Sequence, residues 1–108
     1  MKDGIYQLIF NTNVNTNGQL NGIVVVRDGA INGGDYVCYY KGLVSGNRAS
    51  VQSVPYNKND TTAFNGHSPL DLELLIEDHS NHYLFKGHVK DAPSQVIHGQ
   101  LNFLSSLA

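Results

Sequence analysis

Five histidines and one cysteine are the side chains of this 108-residue sequence best suited to metal binding or nucleophilic chemistry. His79 and His82 have H-x-x-H spacing, but they flank a predicted hairpin turn and are expected to diverge. His88 and His98 are expected to face each other on neighbouring strands with Asp71 beside His88, and two histidines with a carboxylate can bind Zn²⁺. Because an exposed strand face holds three ligands poorly, we expect surface histidines and no metal or other cofactor.

Residues that would support catalysis are sparse. Cys38 lies in mid-strand among three tyrosines, away from any turn or helix N-terminus that would lower the pKa of its thiol, so we expect a buried, inert cysteine. The sequence contains neither a G-x-S-x-G nucleophile turn nor a phosphate-binding loop ending in Gly-Lys. The most closely spaced acids alternate onto a strand face predicted to be exposed: Asp71, Glu73 and Glu77. We therefore predict that the chain is not an enzyme.

Composition limits the class of protein. The length fits one domain, residues 1–108. The net charge is −2 and the pI about 6.1, whereas nucleic-acid-binding domains usually carry a basic surplus, so direct binding of DNA or RNA is not expected. A single cysteine cannot form an intrachain disulfide. The N-terminus does not resemble a signal peptide, and the longest apolar run, residues 23–26, is too short for a membrane helix. A cytoplasmic location is therefore expected.

The order of polar and apolar residues predicts an all-β domain. Strands are expected at residues 4–11, 19–28, 30–33, 36–44, 49–56, 70–78, 82–90 and 95–104. Turns are expected at residues 28–29, 45–48, 78–81 and 91–94, and the polar stretch 57–69 is the longest connection, with room for a short helical turn. Eight sequential strands must not leave a long sheet edge exposed. We therefore predict an eight-stranded antiparallel up-and-down barrel of the lipocalin type, closed by its last strand against its first.

The register of the last three strands can be predicted from their apolar faces. A two-residue loop within 78–81 would pair Ile76 with Tyr83, and the next turn would then place Gly87 opposite Gly99. On the outer face this register predicts three charged pairs: Glu77–His82, Glu73–Lys86 and Asp71–His88.

Two facing glycines would leave space on the inner face, where Tyr6, Leu8, Phe10, Leu20, Val24 and Val26 are also expected. Neighbouring side chains fill this space, or a small apolar ligand occupies it. If a ligand binds, its pocket residues are expected to be Tyr6, Phe10, Leu72, Leu74, Phe85, Gly87, Gly99 and Leu101.

An apolar outer surface is the other feature that the pattern suggests. Tyr36 and Tyr40 share one strand face, and Tyr39 points the other way. Leu75 and Leu84 are expected to face each other on the outside of their strands. Tyr39, Leu75 and Leu84 therefore either belong to a dimer or partner interface or are scattered exposed residues.

The first half of the chain resembles the GrlR family, negative regulators of type III secretion gene expression in enteric pathogens. The resemblance is carried by residues 1–6 (Met-Lys-Asp-Gly-Ile-Tyr), Ile9-Phe10, Gly29, Ile31, Gly33-Gly34-Asp35, Tyr40, Gly42 and Tyr56-Asn57. It implies a small lipocalin-like barrel, usually dimeric, with an apolar cavity. It also implies regulation by capture of a transcriptional activator rather than by contact with DNA.

One loop departs from the family pattern. In the family's repressor, a hairpin with two Glu-Asp pairs serves partner binding. Here the corresponding loop is Ser45-Gly46-Asn47-Arg48, which has no acid and ends in a cation. This loop remains the candidate partner-binding loop, although a basic partner would lose its electrostatic complement. We expect a homodimeric regulator that acts by protein–protein binding, with an apolar-ligand-binding barrel as the alternative.

Overall fold

Eight antiparallel strands form a closed barrel in sequential order, as predicted. The structure is a computed structural model that describes residues 1–80 and 82–108, and only the backbone of residues 16 and 17. The strands are β1 (Gly4–Thr12), β2 (Asn15–Arg27), β3 (Ala30–Asp35), β4 (Cys38–Ser45), β5 (Arg48–Pro55), β6 (Leu70–Asp78), β7 (His82–Val89) and β8 (Ala92–Ser105). The connection at 57–69 consists of turns and bends, so the helical turn considered there is not formed. Within the described ranges, no helix is long and apolar enough to cross a membrane.

Closure of the barrel joins β8 to β1, with Leu8 opposite Leu101 and Tyr6 opposite Phe103. The alternation of the sequence correctly predicts the inner face of the first two strands. Of the six residues expected there, Leu20 is partly buried. The other five are buried: Tyr6, Leu8, Phe10, Val24 and Val26. One side of each strand therefore supplies the core, which explains how a chain with 41% apolar residues closes a barrel.

The two ends of the barrel follow from the up-and-down order. The hairpins β2–β3, β4–β5 and β6–β7 lie at the end that we call the closed end, where β1 also begins. Asp28 and Gly29 both have positive φ, 50° and 80°, as predicted for the tight turn between β2 and β3. The hairpins β1–β2 and β7–β8, the β3–β4 turn and the long connection 56–69 lie at the opposite, open end.

The predicted register between β6 and β7 is wrong by two residues. Ile76 pairs with Phe85, not with Tyr83. The backbone N–H of His79 donates to the carbonyl of His82 (2.9 Å), so the hairpin closes one residue later than predicted; Asn81 of the predicted turn lies outside the described residues. A shift of two residues keeps every side chain on its face because side chains alternate with period two. The charged pairs are replaced by Glu77–Leu84, Leu75–Lys86 and Glu73–His88.

The register between β7 and β8 also differs from the prediction by two residues. Gly87 pairs with Ile97 and Gly99 pairs with Phe85, so the predicted Gly87–Gly99 pair does not form. Strand β8 begins at Ala92, inside the stretch predicted as a turn. An irregularity after His88 accommodates the earlier start. The predicted turn is centred on Pro93, but Pro93 lies within β8 and the turn forms at residues 90–91.

Gly87 and Gly99 allow neighbouring strands to approach each other closely. They do not open a space inside the barrel. A β-carbon at Gly87 would overlap the carbonyl oxygen of Glu73 on β6, and one at Gly99 would overlap that of Ile9 on β1. Any side chain would push these neighbouring backbones apart. The glycines therefore allow the sheet to bend tightly into a small barrel.

Candidate functional site

The barrel encloses a cavity of about 390 Å³, a volume in the range of small-molecule sites. Of the eight predicted pocket residues, Tyr6, Gly87 and Gly99 do not line it, and the other five do: Phe10, Leu72, Leu74, Phe85 and Leu101. Strands β2, β3 and β5 contribute further apolar lining outside the predicted pocket set, including Val24, Ile31, Ala49 and Val51. The cavity is thus present but is centred away from the two glycines.

The closed end is filled by aromatic side chains, which explains why Tyr6 is absent from the cavity wall. Tyr6 is 0% exposed, and its ring makes edge contacts with Tyr83 and Phe103 at centroid distances of 5.9 and 5.6 Å. Its hydroxyl donates to the carbonyl of Lys2, whose ammonium lies 3.8 Å from the Phe103 ring centroid. Burial, assisted by the neighbouring Tyr83, raises the pKa of Tyr6 to about 12.

Asp35 organises the polar part of the wall at the open end. One carboxylate oxygen accepts the N–H groups of Val37 (2.8 Å) and Cys38 (2.7 Å), and the other accepts the hydroxyl of Tyr40. Burial, followed by this contact with Asp35, raises the pKa of Tyr40. Three hydrogen-bond donors already bind the Asp35 carboxylate. Asp35 therefore stabilises the wall, and its carboxylate is not free to bind a ligand in the cavity.

Cys38 is buried, as predicted, and its thiol lines the cavity. Burial raises the pKa of this thiol, which keeps it protonated and weakly nucleophilic. Ser53 is the other small polar group in this part of the wall.

Hydrogen bonds connect Asp35 to the residues that follow β5. The hydroxyl of Tyr56 donates to the carbonyl of Asp35 (2.5 Å), and the side-chain amide of Asn57 donates to the carbonyl of Tyr36 (3.2 Å). We call Asp35, Tyr36, Tyr40, Tyr56 and Asn57 the mouth cluster.

The side-chain role of Asp35 was not predicted from the sequence. A local pattern could have revealed it. Asp side chains often accept N–H groups two or three residues later, and Asp35 does so with Val37 and Cys38.

The connection between β5 and β6 forms a strap that contributes to the cavity wall. Thr12 at the end of β1 donates its hydroxyl to the carbonyl of Ala63 (2.8 Å). Thr62 is buried, and its hydroxyl oxygen accepts the N–H groups of Phe64 (3.3 Å) and Gly66 (3.2 Å). Residues 61–64 all line the cavity. The strap is therefore tied to the barrel through a few polar contacts.

Three exposed tyrosines lie at the mouth cluster or beside it: Tyr36 and Tyr56 belong to the cluster, and Tyr39 lies on β4. Tyr36 is 77% exposed, Tyr56 55% and Tyr39 43%. Tyr36 precedes β4, because that strand begins two residues later than expected. The prediction that Tyr36 and Tyr40 share one strand face is therefore wrong. Ile23 on β2 is also exposed, and Gly34, which lies between Ile23 and Tyr39 in the sheet, adds no side chain. We call Ile23, Tyr36, Tyr39 and Tyr56 the tyrosine surface.

The other two residues of the predicted interface lie elsewhere. Leu75 on β6 is 37% exposed and is opposite Lys86. Leu84 on β7 is partly buried and is opposite Glu77. Their predicted facing pair is not formed because the register is shifted, so Leu75 and Leu84 do not extend the tyrosine surface.

The candidate loop at residues 45–48 is an exposed tight hairpin at the closed end. Ser45 pairs with Arg48, and Gly46 has a φ of 60°. The carbonyl of Asn47 accepts the N–H of Ile76 (2.7 Å), which fixes the hairpin against β6. The loop is thus accessible to a partner but is held rigidly.

The histidines are arranged differently from the prediction. His79 and His82 do not diverge: their rings stack with centroids 5.4 Å apart, and His79 lies 3.2 Å from the Glu77 carboxylate. His88 is opposite Val96 and His98 is opposite Lys86, so the two do not face each other. In the part of the chain that the structure describes, no three His, Cys, Asp or Glu side chains are grouped as metal ligands would be.

Known proteins provide no assignment for this site. A scan against protein-family models found no match. A search of curated proteins also found none. The cavity, the mouth cluster and the outer surfaces of the barrel are therefore the candidate functional features.

Proposed function

We propose that this chain is a cytoplasmic regulatory protein of the GrlR-like type, which acts by binding another protein, such as a transcriptional activator, rather than DNA. The observation that carries this proposal is the tyrosine surface. Four residues of the mouth cluster, Asp35, Tyr40, Tyr56 and Asn57, also carry the sequence resemblance, and the cluster's hydrogen bonds fix Tyr36 and Tyr56 at the protein surface. The net charge of −2 favours a protein partner over nucleic acid.

The tyrosine surface has the chemistry of a protein interface. Tyrosine buries a large ring and retains a polar end, and it is enriched among the residues that dominate binding energies. The Tyr56 hydroxyl bonds to the carbonyl of Asp35 and the Asn57 amide bonds to the carbonyl of Tyr36, so the backbone is fixed on either side of Tyr36 and little ordering is needed on association.

A capture experiment with surface variants tests this proposal. We expect the tagged protein to recover a helix-turn-helix activator from a lysate of its source organism, and Tyr36→Ser/Tyr39→Ser to lose it. Leu43→Ser is the matched control, because Leu43 is 68% exposed on the same strand but outside the tyrosine surface. Equal recovery with both variants would contradict the proposal, as would direct binding of promoter DNA by the chain alone.

A homodimer is part of the same proposal. Light scattering after gel filtration should give twice the chain mass of 11.8 kDa. A monomer at micromolar concentrations would remove the dimer from the proposal but would leave partner binding to be judged by capture.

Binding of a small apolar molecule is the second candidate, and the 390 Å³ cavity favours it. Its wall is mainly apolar, and the one carboxylate there, Asp35, is occupied by three donors. These features favour a neutral, apolar ligand over a charged one.

Filling the cavity tests this alternative. Ala49 is buried and lines the cavity, so Ala49→Leu should abolish binding of the fluorescent probe 1-aminoanthracene. Ala30→Leu is the matched control, because Ala30 pairs with the exposed Leu43 and lies outside the cavity lining. Unchanged probe binding by Ala49→Leu would contradict the candidate, and native mass spectrometry should detect any co-purified ligand in the wild-type protein.

A further inference from the structure

A second recess lies on the outside of the barrel, next to the 45–48 hairpin. It is a shallow recess, open to solvent, of about 640 Å³ over strands β5 to β8. We call it the basic groove. Its outward side chains are Arg48, Ser50, Glu73, Leu75, Lys86, His88, Val96 and His98.

Strand register arranges the cations of the groove in one row. Arg48 is opposite Leu75, Leu75 is opposite Lys86, and Lys86 is opposite His98. Neighbouring strands are about 4.8 Å apart, so Arg48 and Lys86 are separated by roughly 10 Å, with Leu75 between them. Val96 in the adjacent row adds a second exposed apolar side chain, at 41% exposure.

The two permanent cations of the groove have no acidic partner. Among the described residues, the one ion pair is His79–Glu77, so no carboxylate lies at ion-pair distance from Arg48 or Lys86. The single acid of the groove, Glu73, lies in the adjacent row opposite Ser50 and His88. In a chain of net charge −2, this region therefore offers unpaired positive charge around an apolar centre.

We propose that the basic groove binds an acidic segment of a protein partner. Two carboxylates of the segment pair with Arg48 and Lys86, and an apolar side chain between them contacts Leu75. The Arg48 guanidinium can hold a carboxylate through two hydrogen bonds. This inference rests on the proposed protein-binding function and adds the chemical nature of the partner.

Nucleic acid fits the groove less well than an acidic peptide does. Proteins that bind a duplex typically neutralise several phosphates, whereas this row provides two permanent cations over roughly 10 Å. Glu73 would also repel a phosphate backbone. The backbone of a duplex presents phosphates and sugars but no apolar side chain to cover Leu75 and Val96, whereas a peptide with alternating acidic and apolar side chains does.

The test measures fluorescence anisotropy with a labelled 12-residue peptide made of three Glu-Leu-Glu-Ala repeats, using the full chain. We expect Lys86→Glu to weaken binding at least tenfold, and Glu73→Gln to strengthen it about two- to fivefold by removing the repelling acid. Lys41→Glu is the matched control, because Lys41 is exposed on β4 outside the groove and should leave affinity unchanged. Thermal melting of each variant shows that it is folded.

Several outcomes would overturn the inference. Equal affinities for wild type and Lys86→Glu would do so, as would equal binding of a peptide with Lys in place of Glu. Stronger binding of a 20-base-pair duplex than of the acidic peptide would assign the groove to nucleic acid instead. If the peptide does not bind but capture of an activator depends on Tyr36 and Tyr39, the groove inference fails and the proposed function stands.

Discussion

The two ends of the barrel are closed by different means. At the closed end, Tyr6, Tyr83 and Phe103 fill the cross-section with edge-to-face rings. At the open end, the described residues make no such ring-to-ring contacts; the mouth cluster and the strap form a rim around an apolar cavity. The comparison indicates that one end provides stability through dense contacts, while the other keeps interior space accessible.

Replacing one buried ring at each end should expose this difference most strongly. Tyr6→Ala removes a fully buried ring and should lower the free energy of unfolding by about 4 kcal/mol. Phe64→Ala in the strap removes a partly buried ring beside existing space and should cost about 1–2 kcal/mol. Urea denaturation followed by circular dichroism measures both. Equal losses would show that the open end is as densely filled as the closed end.

High pH should act on the closed end through Tyr6. Its pKa is about 12 in the folded protein against an ordinary value of 10, so folding favours the neutral phenol. That stabilisation is complete below pH 10 and is lost as the pH rises towards 12, by about 2–3 kcal/mol. Urea midpoints at pH 9, 10 and 11 give the trend.

Tyr6→Phe provides the control for this pH dependence. It should flatten the decline but not remove it, because the pKa of Tyr40 at the open end is also raised, by burial and by Asp35. An unchanged pH profile in Tyr6→Phe would mean that the closed end does not contribute to the alkaline loss of stability.

Loosening the strap should have the smallest effect on stability. Thr12→Val removes the hydroxyl that bonds to the carbonyl of Ala63 and should cost about 1 kcal/mol. Hydrogen exchange should become faster in residues 61–66 and stay unchanged at Tyr6. Uniformly faster exchange along the chain would indicate that the strap is part of the same cooperative unit as the closed end.

The strands and their faces could be predicted from the sequence because both depend on local alternation. The pairing of β6, β7 and β8 could not be predicted by that means. Moving Ile76 from Tyr83 to Phe85 shifts the register by two residues, and a period of two leaves both faces equally apolar. Only the position of the turn distinguishes these registers, and it is set by the His79–His82 hydrogen bond.

The candidate site was partly predictable for a related reason. The inward direction of Phe10, Leu72 and Phe85 follows from alternation, so they were assigned to the interior correctly. The empty volume depends on how the tilted strands are staggered, which the pattern does not encode. The basic groove was missed because Arg48, Lys86 and His98 meet only in the shifted register.

Crystals equilibrated with xenon under pressure test the difference between the two ends most directly, because xenon enters dry apolar cavities. The account predicts xenon between Ala49, Val51 and Leu72, and none among Tyr6, Tyr83 and Phe103. Absence of xenon from the interior, with side chains filling that space, would contradict the account.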